Sequence, residues 1–492
     1  MLLRRTVLAT LFTACAALAG SAMAAELPEA ISTLLSAANI PQQGAGIVVM
    51  RGNQTLIDHN SSQSMQPGST MKLITTLAAL EQLGPAFRAR TELRTSGEVE
   101  NGVLKGDLIV RGGADVDLNE DVLLHLLQAL RNQGIRKIKG DVILDRQLFQ
   151  PARPELGQPP FDEFPWAYYN VIPDALLTHS NLLRVELRAS ASELAVVMQP
   201  EMEQVSVKAD LALIDAPCAS WEKDWRMPEV RRRGEQLTVV LHGRYPRNCN
   251  KSTYIDVLDH HDFLARLLRA QWRKLGGSLS GEVREAEATG LAPESRLLAE
   301  HQSRALPEML RDVNKNSDNT IARTVFLMLG SLQADAALGS KPLPADDSVA
   351  STPMRADLAI RSWLQAQRIS ADGLVLENGS GLSRLERATP AQMAAVLQAG
   401  LRSPWMPEFL ATLPIAGTNG TMRKRLKDSP ATRRARIKTG TLNGIMAIAG
   451  YVYDAANQPC VVVAFLNDEH MAGGAGRNVL DGLIEWVARS AP

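Results

Sequence analysis

Between Thr91 and Gly243 the chain repeatedly alternates apolar and polar residues with a period of two. The stretches are TELRTSGEV, KGDLIVRG, KGDVILD, LLRVELRA, LAVVMQP and QLTVVLHG, separated by turn-forming residues. Such runs predict half-buried strands, so this region reads as sheet-rich. KGDLIV and KGDVIL occur once each, too few copies for a solenoid.

Outside that region the periodicity changes. A helix is expected around Leu27–Ala38, then strands at GAGIVVM and QTLIDHN, then a helix beginning near Ser69 with a long apolar run. Helical spacing returns at Phe263–Lys274, Leu306–Leu329, Met354–Gln367 and Pro390–Leu401, with a loop expected between Gln333 and Thr352. IKTG, AIAGYVYD and CVVVAFLN read as strands. The last helix places Leu480, Leu483, Ile484 and Val487 on one face. Its polar face has no basic run, so packing on a sheet is favoured over lying on a membrane. The expected architecture is an α/β domain split in sequence, residues 25–89 and 288–492, around a mostly β insert at 90–287. Pro151 to Trp166 would form an ordered lip or linker.

The first 24 residues change the picture of where this happens. Arg4 and Arg5, the apolar run Val7 to Leu18 and Ala22-Met23-Ala24 have the organisation of a cleaved export signal. The expected location is therefore the periplasm, an oxidising compartment. A formal net charge of zero argues against nucleic acid as a partner. Cys218 and Cys249 lie in loop-like surroundings and are candidates for a disulfide, whereas Cys460 opens a strand and is expected as a free core thiol.

Ser69 and Lys72 stand three residues apart, which on a helix places a hydroxyl beside an amine. A serine needs a base to become a nucleophile, and a lysine serves only when desolvation or a nearby cation has made it neutral. The alternative is a capping serine and a lysine reaching out to water. The same spacing recurs at Ser220–Lys223, in a polar stretch. Ser317-Asp318-Asn319 begins an apolar helix, and Lys438-Thr439-Gly440 ends a strand and is followed by Thr441. A helix cap and a strand-end turn are their bland readings. Together they supply a proton-relaying hydroxyl, an amide, a second cation and a glycine that permits close backbone approach.

S-x-x-K, S-D-N and K-T-G in this order form a known signature of penicillin-binding proteins and class A β-lactamases. The gap from Lys72 to Ser317 is about twice that from Ser317 to Lys438. With KGDLIVRGGAD, KGDVILD and ENGSGLSR, this long gap makes the chain resemble the class C low-molecular-mass penicillin-binding proteins, D-alanyl-D-alanine carboxypeptidases/endopeptidases. The resemblance spans essentially the whole chain after the signal. It implies a serine transpeptidase/β-lactamase-like fold, an antiparallel sheet flanked by helices.

The resemblance further implies that Ser69 is the nucleophile and Lys72 its base, with Ser317 relaying a proton and Asn319, with Lys315, holding the site together. Lys438 would keep Lys72 neutral by repulsion. Thr439, Gly440 and Thr441 would meet the substrate's carboxylate and oxyanion. Arg384 would lie near the site, and Asp162 or Tyr169 would offer a contact from the insert. Peptidoglycan stem peptides are the implied substrates and β-lactams covalent inhibitors. No cofactor or metal is implied, and a loose membrane association is compatible with the family. His260-His261 reads as a helix start, since zinc-ligand spacing is absent. A β-lactamase or esterase of the same fold, or a non-catalytic envelope scaffold, are the competing readings.

Overall fold

The computed structural model describes residues 27–287, 295–344, 350–469, 471 and 474–491. The export signal expected at 1–24 lies outside the described residues. The helices are α1 (Glu29–Ala37), α2 (Lys72–Leu83), α3 (Glu120–Asn132), α4 (His260–Lys274), α5 (Leu306–Arg311), α6 (Asn319–Leu329), α7 (Thr352–Ala366), α8 (Pro390–Arg402), α9 (Met406–Thr412) and α10 (Ala475–Arg489). None of the described helices is long and apolar enough to cross a membrane.

The two ends of the chain build one antiparallel sheet. Its strand order is Gln54–His59, Ala45–Arg51, Pro459–Asn467, Ile445–Tyr453 and Ala435–Leu442. On one face α1 and α10 bury Ile31, Leu35, Leu480, Leu483 and Val487 against Ile437, Ile448 and Val462. On the other face α2 and α8 bury Leu73, Leu77, Met393 and Leu397 against Val461, Val463 and Phe465. Coverage on both faces explains why CVVVAFL is continuously apolar: neither side of that strand meets water. The last helix packs on the sheet, as its stripe predicted.

The region from Arg90 onward has its own core, and it is less purely β than expected. Strands Leu108–Gly113 and Val142–Asp145 pair in parallel, Leu108 opposite Val142, which requires a crossover. α3 supplies it, capped by the Asn119 side chain and packed through Leu123, Leu126, Leu127 and Leu130. The KGDLIV/KGDVIL similarity thus marks the two strands of a βαβ unit. Strand Arg296–Gln302 pairs with Arg90–Thr95; by strand pairing we place the end of the insert near 302, beyond the 287 expected. Cys218 and Cys249 form a disulfide, and Cys460 is free and buried.

Two further expectations need correction. The helical run Leu306–Leu329 is broken into α5, a π-turn at Asp312–Asn316 and α6. Ser317 interrupts it in the left-handed region at φ 60°. The loop expected from Gln333 to Thr352 begins instead as a hairpin, Leu332–Asp335 with Gly339–Pro342.

Candidate active site

Ser69 lies just ahead of the α-helix. It sits in a 3-10 turn, Gly68–Met71, and α2 begins at Lys72. The capping alternative for Ser69 fails, because the residue at the helix N-cap is Met71 and no side chain caps it. The snorkelling alternative fails too: Lys72 is 0% exposed. Its Nζ lies 3.0 Å from Ser69 Oγ, 2.6 Å from Asn319 Oδ1 and 2.5 Å from the Ser380 carbonyl oxygen.

The chemistry of those partners is informative. An ammonium has three N–H donors, a neutral amine two donors and a lone pair. The Asn319 and Ser380 oxygens only accept, and they take up two N–H groups. The third direction faces Ser69 Oγ, which can donate its own proton, so a neutral Lys72 points its lone pair at the serine hydroxyl. Burial pushes the Lys72 amine down to about 7, against the opposing pull of Asp318 and Glu386 and with smaller help from Arg323.

Lys438 is also 0% exposed and donates to Ser317 Oγ at 2.8 Å and to the Thr439 carbonyl at 2.8 Å. Burial first, and then the neighbouring Lys72, holds its amine well below the ordinary lysine range. Desolvation is the largest cause at both amines, and the repulsion between them acts on the pair.

The break at Ser317 positions the second motif. Asp318 caps α6 by accepting from the Ile321 N–H at 2.9 Å. That leaves Ser317 free to meet Lys438, while Asn319 opens the helix facing Lys72. Asn319 Nδ2 donates to the Tyr169 carbonyl at 3.3 Å, so the insert reaches the cluster through a backbone oxygen. Lys315 donates to the Leu413 carbonyl and to Asn419 Oδ1, outside the cluster but bracing the π-turn.

Gly440 shows why the third motif ends in glycine. A Cβ there would lie 2.8 Å from the Ser69 nitrogen and 2.9 Å from the Pro67 carbonyl, so the strand backbone runs directly against the serine turn. Thr439 Oγ1 bonds Thr421 Oγ1 at 2.9 Å, and Thr441 is exposed on the same outer strand of the sheet.

The sequence reading singled out ENGSGLSR but missed Ser380 in it and Glu386 just beyond it, which shape the loop behind Lys72. Glu386, 0% exposed, accepts from the backbone N–H groups of Glu377, Asn378, Gly379 and Gly381. It thereby curls NGSG so that the Ser380 carbonyl meets Lys72. The available signal was a two-glycine turn followed by a glutamate, but only the fold reveals that the carboxylate is buried.

Other candidates fall away from the cluster. Arg384 is exposed, with its guanidinium 4.7 Å from the Phe161 ring centroid. Asp162 accepts from Tyr169 Oη, Asn170 Nδ2 and the Phe164 N–H, so its carboxylate braces the lip. Ser220 Oγ donates to the Pro217 carbonyl, and the second S-x-x-K spacing is a turn. His260 and His261 open α4 beside Asp174 and Glu285, and among the described residues no His, Cys, Asp and Glu group is arranged to hold a metal.

The profile of the D-Ala-D-Ala carboxypeptidase 3 (S13) family matches residues 27–490. The chain belongs to this family. The S13 chain is 30% identical to the D-alanyl-D-alanine carboxypeptidase DacB of Haemophilus influenzae, covering 90% of this chain and 86% of that one. It is similar in structure to penicillin binding protein 4 (dacB) from Haemophilus influenzae, with TM-score 0.76, 27% identity and coverage of 94% and 100%. That protein complexed with a novel β-lactam matches with TM-score 0.72, at 27% identity over 94% of this chain and 99% of the other. The expected family and fold class are thereby established.

Proposed function

We propose that this chain is a periplasmic serine D-Ala-D-Ala carboxypeptidase and endopeptidase acting on peptidoglycan stem peptides. The observation that carries the reading is the buried Lys72 amine, with two pure acceptors on it and the Ser69 hydroxyl as its remaining partner. Ser69 Oγ attacks the carbonyl of the penultimate D-alanine as Lys72 takes its proton. The oxyanion meets the N–H groups of Ser69 and Thr441, a contribution of about 3 kcal/mol per donor. The C–N bond breaks, the proton that Lys72 accepted is passed with the help of Ser317 to the leaving amine, and D-alanine departs. Water then attacks the ester, and Ser69 regains its proton.

Thr439 and Thr441 are the groups proposed to receive the substrate's terminal carboxylate. The KTG strand forms the sheet's outer edge, so an extended peptide can lie alongside it. A cross-linked stem presents the same acyl carbonyl with a different leaving amine, which is the basis of the endopeptidase activity. β-Lactams open on Ser69 by the same steps.

The test is intact mass after incubation with a fluorescent penicillin. Wild type gains one adduct and Ser69→Ala gains none. A pentapeptide ending in D-Ala-D-Ala then loses one alanine with wild type alone. Rapid turnover of penicillin without peptide cleavage would assign a β-lactamase instead.

A further inference from the structure

Thr439, the middle residue of K-T-G, has one side-chain hydrogen-bond partner among the described residues: Thr421 Oγ1 at 2.9 Å. Its backbone carbonyl accepts from Lys438 Nζ at 2.8 Å, so the residue is held at both ends. Thr421 is exposed, stands 18 residues earlier in the chain and belongs to none of the three motifs.

The chain around Thr421 leaves its hydroxyl little freedom of place. The Ile437 N–H donates to the Pro414 carbonyl at 2.9 Å, and the Ala416 N–H to the Ala435 carbonyl at 3.0 Å. This segment therefore covers the edge of the KTG strand up to Ile437. Asn419 Oδ1 then accepts from the Ile415 N–H at 3.0 Å and from Lys315 Nζ at 3.1 Å. Gly420 follows at φ 57°, where a Cβ would stand 2.8 Å from the Lys315 carbonyl oxygen. Met422, next after Thr421, is buried in the core between the sheet and α10. Thr421 is thus fixed between a glycine seated on the π-turn and a methionine in the core. That same π-turn leads into Ser317.

Two hydroxyls joined by one hydrogen bond own two protons, so one proton always remains for a third group. Hydroxyl protons rotate to suit their partners. When Thr421 donates to Thr439, the remaining proton is that of Thr439, on an oxygen already polarised by its neighbour.

We propose that Thr421 is a positioning residue for the substrate's terminal carboxylate: it holds Thr439 Oγ1 in place and donates to it, leaving the Thr439 proton for the carboxylate. The inference rests on the reading above, in which Thr439 receives that group. It brings a residue from outside the motifs to the carboxylate end of the site and ties that end, through the π-turn, to Ser317.

The experiment compares two N-acyl-D-alanyl thioesters, one of thioglycolate and one of thioglycolamide, with the released thiol as readout. They differ only in the carboxylate, and wild type should prefer the ester that bears it. Thr421→Val keeps the side-chain shape and removes the hydroxyl. It should lower that preference, the ratio of the two kcat/KM values, by about tenfold, the scale of one hydrogen bond to a charged group. Thr421→Ser restores the hydroxyl and should keep the wild-type ratio. A loop merely disturbed by substitution slows both esters alike, so equal loss on both overturns the proposal. A ratio in Thr421→Ser as low as in Thr421→Val overturns it too. Wild type hydrolysing both esters equally would refute the role given to Thr439, and the proposal with it. Hydrolysis of neither ester would refute the peptidase reading itself, and wild-type rates alone tell these failures apart.

Discussion

Lys72 and Ser69 meet at 3.0 Å, Nζ to Oγ, across the join between a 3-10 turn and a helix. The turn matters because it lets hydroxyl and amine converge while the rest of α2 is buried. The amine is held on its other sides by Asn319 and Ser380, 247 and 308 residues away.

The first prediction concerns pH. Burial sets the Lys72 amine at about 7. The base is its deprotonated form, so penicillin acylation should rise with pH through about 7 and level off above. A free lysine would place that rise above roughly pH 10. Stopped-flow acylation rates across this range check it, and a rate independent of pH between about 6 and 8 would remove Lys72 as the base.

Lys72→Ala should slow acylation by roughly 10²–10⁴-fold, the range for loss of a positioned base. The variant loses a costly buried amine, so its thermal stability should not fall in proportion. Parallel measurement of acylation rate and melting temperature separates the two effects.

Gly440→Ala places a methyl group 2.8 Å from the Ser69 nitrogen. The strand or the serine turn must then move, displacing the proposed oxyanion donors. Acylation should fall by roughly 10²–10³-fold, as for loss of one such donor. Circular dichroism should remain that of wild type.

Glu386→Gln keeps the shape but replaces one acceptor oxygen with an NH₂ group. Oε1 serves three backbone N–H groups and Oε2 serves Gly381, so one orientation or the other sets donor against donor. A loss of about 2 kcal/mol in stability is expected, from unsatisfied buried donors. Slower penicillin labelling should accompany it, because the Ser380 carbonyl is no longer held to Lys72. Denaturant melts and labelling time courses report each part.

The Cys218–Cys249 disulfide has a sequence separation of 31, and both cysteines pack on the core of the insert. Its reduction should lower stability by about 3–4 kcal/mol on the chain-entropy account. Penicillin labelling should survive under mild reductant, since neither cysteine touches the Ser69 cluster. Loss of labelling before any loss of insert structure would contradict this separation.

The three motifs, the split of the sheet-forming ends and the terminal helix were legible because each is a local pattern. Chemistry-bearing residues sit at fixed offsets, and apolar positions repeat at 2 or 3.6. The α3 crossover escaped because its helical stripe, Leu123, Leu126, Leu127 and Leu130, is short and lies between runs of alternating strands on both sides. The break at Ser317 escaped because apolar spacing continues on both sides of it, and a single left-handed residue leaves no periodic signature.

By itself the sequence determined which residue types are available for acyl transfer and which segments must be buried, since hydrophobic spacing dictates both. Only the tertiary structure decided that burial lowers the Lys72 amine to about 7, that Ser380 and Glu386 shape its surroundings, and that Arg384 and Asp162 stand outside the cluster. Those outcomes depend on desolvation and on contacts between residues hundreds of positions apart, and neither is encoded in any local run of letters.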